Sequence, residues 1–135
     1  MKMMPNPYAQ YRQTQVQTAA PEQLIVMLYD GVIKFGLKAK ECIANRDMAG
    51  ANAALIRVQD IISELQLSIN DEAGEIAQQL RSLYDYFYRR ALDANLAKDV
   101  AIIDEIVNMV RDLRSTWVEA IMLARRQAGA ADGNC

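Results

Sequence analysis

Four successive stretches of this chain repeat apolar residues at alternating spacings of three and four, with only a few polar residues between them, a pattern that points to amphipathic helices packed side by side. The first follows Pro21, which suits a first helical position, and carries Leu24, Leu28, Gly31, Phe35, Ala39 and Cys42. It predicts a helix over about 21 to 45. Asp47 is placed to cap the second, about 48 to 69, with Ala51, Ala54, Leu55, Val58, Ile61, Ile62, Leu65 and Ile69 on one face. Asn70 and Asp71 separate it from a third, about 72 to 97, striped by Ile76, Leu80, Leu83, Phe87, Ala91 and Ala94. Asp99 caps a fourth, striped by Ile103, Ile106, Val107, Val110, Leu113, Trp117, Ile121 and Ala124 and ending near Arg126.

Helices this long joined by such short links must run antiparallel to their neighbours, so the expected fold is all-α, an antiparallel four-helix bundle in up-down-up-down order. Only 3 Pro and 6 Gly interrupt 135 residues, and a 52% hydrophobic composition is enough for one buried core. Three segments are expected: a mobile N-terminal arm with a short helix at residues 1 to 20, a bundle domain at 21 to 126, and a disordered tail from 127 to 135.

Most catalytic chemistry lacks its parts here. With no histidine, the commonest general base is missing, as are the Ser-His and Cys-His pairs and the Glu-x-x-His ligands of bundle metal sites. Isolated glycines form no phosphate-binding loop. The carboxylate pairs Asp71 with Glu72 and Asp104 with Glu105 read as charges in a helix first turn. No enzyme activity, cofactor or metal is therefore expected. Lys and Arg number 15 against 17 Asp and Glu, without a basic run, which argues against nucleic acid. No apolar stretch is long enough for membrane insertion, the N-terminus lacks a signal layout, and Cys42 and Cys135 make no disulfide framework, so a cytoplasmic location is expected.

What remains is apolar surface the core does not use. At about 100° per residue, Val26, Ile33 and Leu37 fall roughly opposite Leu24, Phe35 and Cys42, and Ile56 and Leu67 project away from Val58, Ile62 and Leu65. Such second stripes are ordinary exposed aliphatics, surface covered by the N-terminal arm, or grooves for a partner helix. They would also suit a second copy, so a monomer or weak homodimer is expected. Tyr84, Tyr86 and Tyr88 spread around the third helix too widely to be buried together, and Trp117 falls in the fourth stripe as a core anchor.

Several segments together resemble the flagellar secretion chaperone family, FliS. They are the arm bearing Tyr8 and Tyr11, T-A-A-P-E-Q-L-I-V-M-L-Y-D-G from Thr18 to Gly31, Q-D-I-I-S-E-L-Q from Gln59 to Gln66, E-I-A-Q-Q-L-R-S-L-Y-D-Y-F from Glu75 to Phe87, the pair Ala94 and Asn95, and L-R-S-T-W from Leu113 to Trp117. The resemblance implies an export chaperone that binds the disordered C-terminal region of flagellin, prevents premature polymerisation and delivers it to the gate of the flagellar type III export apparatus. It also implies a movable N-terminal cover, matched by Tyr8 and Tyr11, and places Leu28, Tyr29 and Asp30 in the family's most recognisable helix. The partner-binding set expected for this sequence is Tyr8, Tyr11, Val26, Tyr29, Ile33, Leu37, Ile56 and Leu67, with folding as the alternative role for Tyr29. Two positions depart from the family pattern. Ala20 is a poor N-cap, and Gly36 stands mid-helix, which points to a looser first helix or to close approach of the client.

Overall fold

The computed structural model describes residues 21–133, so the expected arm at 1 to 20, with Tyr8 and Tyr11, lies outside the described residues. Helix α1 spans Pro21–Ala44, α2 Met48–Leu67, α3 Glu75–Ala97 and α4 Val100–Gly133, with a 3-10 turn at Asp71–Ala73. No strand occurs among the described residues, and the all-α expectation holds.

Local chemistry sets the boundaries. The Asp47 side chain accepts a hydrogen bond from the Gly50 amide at 2.9 Å and starts α2. Asn70 accepts from the Glu72 amide at 3.0 Å at the 3-10 turn, and Asp99 from the Ala101 amide at 2.9 Å as α4 begins. Each satisfies a donor that a helix start leaves orphaned, an effect of about 1 kcal/mol. The chain reverses through left-handed residues, Arg46 at φ 60° after α1 and Lys98 at φ 51° after α3. Lys98 Nζ turns back onto the Asn95 carbonyl at 2.6 Å and side-chain oxygen at 2.7 Å, and Asn95 in turn donates to Asn52 on α2 at 2.8 Å.

Cross-helix bonds fix direction and register. Asp30 pairs with Arg114 and Lys40 with Asp104, so α4 descends as α1 rises. Between α2 and α3 the order is Asn52 with Asn95, Gln59 with the Tyr88 carbonyl and Gln66 with the Arg81 carbonyl, again antiparallel. α1 packs on α2 and α4, and α3 packs on the same two, most thinly on α4. That seam carries a polar clasp: the Tyr86 hydroxyl donates to Glu105, which also pairs with Arg90, and these two bonds hold the Glu105 carboxyl below its usual range.

The core runs the length of this ring, from Tyr29, Ile62, Leu65, Tyr84 and Phe87 to Ala39, Leu55, Ala94 and Ile103. Fully burying one such large apolar side chain stabilises the fold by about 1.5–3 kcal/mol. Two glycines let α1 approach its neighbours. A Cβ at Gly31 would lie 2.9 Å from Ile61 Cδ1 on α2, and one at Gly36 would lie 2.7 Å from Val107 Cγ2 on α4. Gly36 therefore marks a close approach of the protein's own last helix, not of a client.

Three other expectations are corrected. Helix α4 continues seven residues past Arg126, through Gln127 and three alanines that favour a helix despite Gly129 and Asp132, so the tail expected from 127 is helical through Gly133. Ile76 was placed in the third stripe but is 63% exposed, since the first turn of α3 turns its neighbour Ala77 inward instead. Phe35 is only half-buried, against the α1–α2 seam, where Lys34 Nζ and Arg57 Cζ lie 5.5 and 5.3 Å from its ring centre; Val32 takes the inward position.

Candidate functional site

Where α1 starts, α2 hands over to α3 and α4 passes beyond the bundle, the four helices do not fill the space between them. The result is an apolar cavity of about 540 Å³. Pro21, Leu24 and Ile25 of α1, Ile69 of the connection, Ile76 and Leu80 of α3 and Trp117 of α4 supply most of its wall, and Tyr84 lines it too. The volume lies within the roughly 300–1,000 Å³ typical of pockets that enclose an organic group.

Trp117 holds this end in place. It is half-buried, packs against the core, and its indole Nε1 donates to the Glu22 carbonyl at 3.1 Å, while Arg125 reaches the Glu22 carboxylate at 3.5 Å. Two smaller apolar pockets flank the same first turn of α1. One, of about 320 Å³, lies against Trp117, Ile121 and Ala124; the other, of about 360 Å³, lies against Val26, Met27 and Met122. All three open at one end of the molecule, around the residues where the chain enters from position 20.

A second apolar surface runs along the α2–α3 seam. In the register set by Asn52–Asn95 and Gln59–Tyr88, Ile56 on α2 falls level with the stretch between Tyr88 and Leu92 on α3, with Leu96 a turn further on, and all four are exposed. Gln59, bonded to the Tyr88 carbonyl at 3.4 Å, and the Asn52–Asn95 pair fix the seam beneath them.

The structure divides the expected partner-binding residues. Ile56 lies on the exposed α2–α3 strip, and Leu67, 86% exposed, stands at the end of α2 close to the cavity. Leu37 is exposed on α1. Val26 and Ile33 are half-buried: Ile33 packs against the core, and Val26 lines the small pocket beside α4. Tyr29 has no exposed surface and is a core residue in this conformation. Its hydroxyl meets that of Tyr84 at 2.6 Å, and burial first, then that bond, pushes its pKa up. Burial likewise raises Tyr84, opposed by the bond from Tyr29. Both phenols are neutral at ordinary pH, and the cavity's chemistry is burial of apolar groups.

Tyr84, Tyr86 and Tyr88 are buried, half-buried and exposed in turn, as their spacing required. Sequence reasoning did not single out Ile25, Ile76, Leu80, Leu92 or Leu96 for binding. Leu92 and Leu96 fall outside the third stripe, and that was the available signal.

The Flagellar protein FliS family model matches residues 4–124, nearly the whole of the described bundle. The chain belongs to the FliS family. It is 38% identical to the flagellar secretion chaperone FliS of Bacillus subtilis, over 95% of this chain and 96% of that one. The Salmonella typhimurium FliS is 35% identical over 82% of this chain and 84% of its own, and the Escherichia coli FliS 32% identical over 79% and 80%. These FliS relatives carry the name of chaperone. No helix among the described residues is long and apolar enough to cross a membrane.

Proposed function

We propose that the protein is a cytoplasmic export chaperone that binds the disordered C-terminal region of flagellin, keeps it from polymerising early and delivers it to the flagellar type III export apparatus. The observation that carries this reading is the open apolar cavity bounded by Leu24, Ile25, Leu80 and Trp117, with the Ile56–Tyr88–Leu92 strip as a second contact surface. Apolar surfaces of this kind invite an amphipathic segment that places apolar residues at i, i+3, i+4 and i+7.

The client segment is unstructured when free and folds on these surfaces, burying the side chains it would use to join a filament. Competition alone then blocks assembly, and no nucleotide is consumed. Ordering the segment costs several kcal/mol of the gross contact energy, which keeps the complex releasable at the exporter. The segment bearing Tyr8 and Tyr11 joins the chain at Pro21 on the cavity rim, and the movable cover that the family resemblance implies for it belongs to the same proposal.

Trp117 is the single tryptophan and lines the cavity, so its emission reports the site. Titrating the protein with a tryptophan-free peptide from the C-terminal region of flagellin should shift and saturate that emission. An unchanged spectrum at peptide excess would count against the cavity as the client site.

A further inference from the structure

The hydroxyls of Tyr29 and Tyr84 leave one hydrogen-bond donor unspent. Two phenols carry two O–H donors, and the single bond of 2.6 Å between their oxygens uses one of them. Neither hydroxyl has another partner among the described residues, and the two residues are 0% and 2% exposed, so bulk water does not take the second donor. A buried donor without an acceptor is costly, and native folds leave few of them. Tyr84 is among the residues that line the apolar cavity. Side chains on a helix lean toward its N-terminus, and for Tyr84 that is the end of α3 where Ile76, Ala77 and Leu80 form the cavity wall. The polar side chains of the wall are engaged elsewhere. The Ser68 hydroxyl donates to the Leu65 carbonyl at 2.7 Å, the Asn70 side-chain oxygen accepts from the Glu72 amide, and the Glu22 carboxylate pairs with Arg125.

We propose that Tyr84 gives the cavity a single hydrogen-bond donor, which an uncharged carbonyl oxygen of the bound flagellin segment accepts. The donor's role rests on the client reading and adds to it what the cavity selects. With Tyr29 donating and Tyr84 accepting, the Tyr84 hydrogen is left to turn toward the cavity. One placed polar group in an apolar wall orients a ligand that burial alone would hold in many poses. A purely apolar side chain fills the space but leaves the donor unpaired. A carboxamide side chain, or one of the carbonyls left free at the end of a client helix, fills it and pairs the donor as well. A carboxylate would also accept, but its charge would lose more hydration in an apolar cavity than one bond restores.

Comparing Tyr84→Phe with Tyr29→Phe in the full chain separates this role from a structural one. Each variant removes one hydroxyl and leaves the other without its mate, so the two should lose similar stability in urea unfolding. Only Tyr84→Phe removes the donor that serves the cavity. Calorimetric titration with a peptide from the C-terminal region of flagellin of the same organism should therefore show Tyr84→Phe weakening binding about fivefold more than Tyr29→Phe does, as for the loss of one neutral hydrogen bond. A loss in Tyr84→Phe no larger than that in Tyr29→Phe, with the wild type binding, would overturn the donor role and leave the client reading standing. No binding by the wild type would remove the client reading and the donor role with it.

Discussion

The phenolic oxygens of Tyr29 and Tyr84 lie 2.6 Å apart in the buried centre of the bundle, joining α1 to α3 from opposite corners of the ring. Neither ring reaches bulk water, so each hydroxyl depends on the other. Tyr29→Phe should destabilise the protein by about 1–2 kcal/mol in urea unfolding, because Tyr84 is left without its partner. The double variant Tyr29→Phe, Tyr84→Phe should cost less than the two single variants together.

The same pair gives an alkaline limit to stability. Both pKa values are raised in the fold, so the pair's contribution is complete below the unfolded value of about 10 and is lost as pH rises above it toward the folded values. Above pH of about 10 the unfolded chain releases these protons while the fold retains them, at up to about 1.4 kcal/mol per pH unit for each group. The double phenylalanine variant should show a shallower fall in stability over that window than the wild type, measured by urea unfolding at each pH.

Gly36 should resist replacement by the best helix former. Alanine gains about 1 kcal/mol of helix propensity, but its Cβ would stand 2.7 Å from Val107 Cγ2. Overpacking should win, leaving Gly36→Ala less stable by about 1–2 kcal/mol. Adding Val107→Ala should cost less in that background than in the wild type, which a double-mutant cycle of unfolding free energies measures directly.

Arg46 should behave in the opposite way. It is exposed, sits at φ 60°, and ends α1 in a conformation that glycine adopts without strain. Arg46→Gly should raise stability by about 1 kcal/mol in the same assay.

How far the sequence foretold this structure varies with the kind of information each element needs. Asp47, Asn70 and Asp99 were readable as caps because capping depends on neighbours a few residues away. Val26 and Ile33 are half-buried where the wheel alone left them open, since a helical wheel shows the faces of one helix but not how many neighbours stand around it; their side of α1 turns toward α4. Tyr29 falls about 80° outside the first stripe on a helical wheel, because the face of α1 that is buried runs through Leu28, Tyr29, Val32 and Gly36; the hydroxyl of Tyr84, 55 residues away, then gives its phenol a partner. The cavity left no trace in any single stripe, because it forms where the ends of α1, α3 and α4 fail to meet. Ile76 and Leu80 count toward it only once the turn before α3 has set their position.

The most direct measurement is calorimetric titration of the protein with a peptide from the C-terminal region of flagellin of the same organism, repeated with Ile76→Asp at the cavity and Leu92→Asp on the α2–α3 strip. Both positions are exposed, so both variants should stay folded. The expected result is saturable binding with a negative heat-capacity change, weakened about tenfold or more by each variant. No binding by the wild type, or binding at full strength in both variants, would contradict the assignment of these surfaces to a flagellin client.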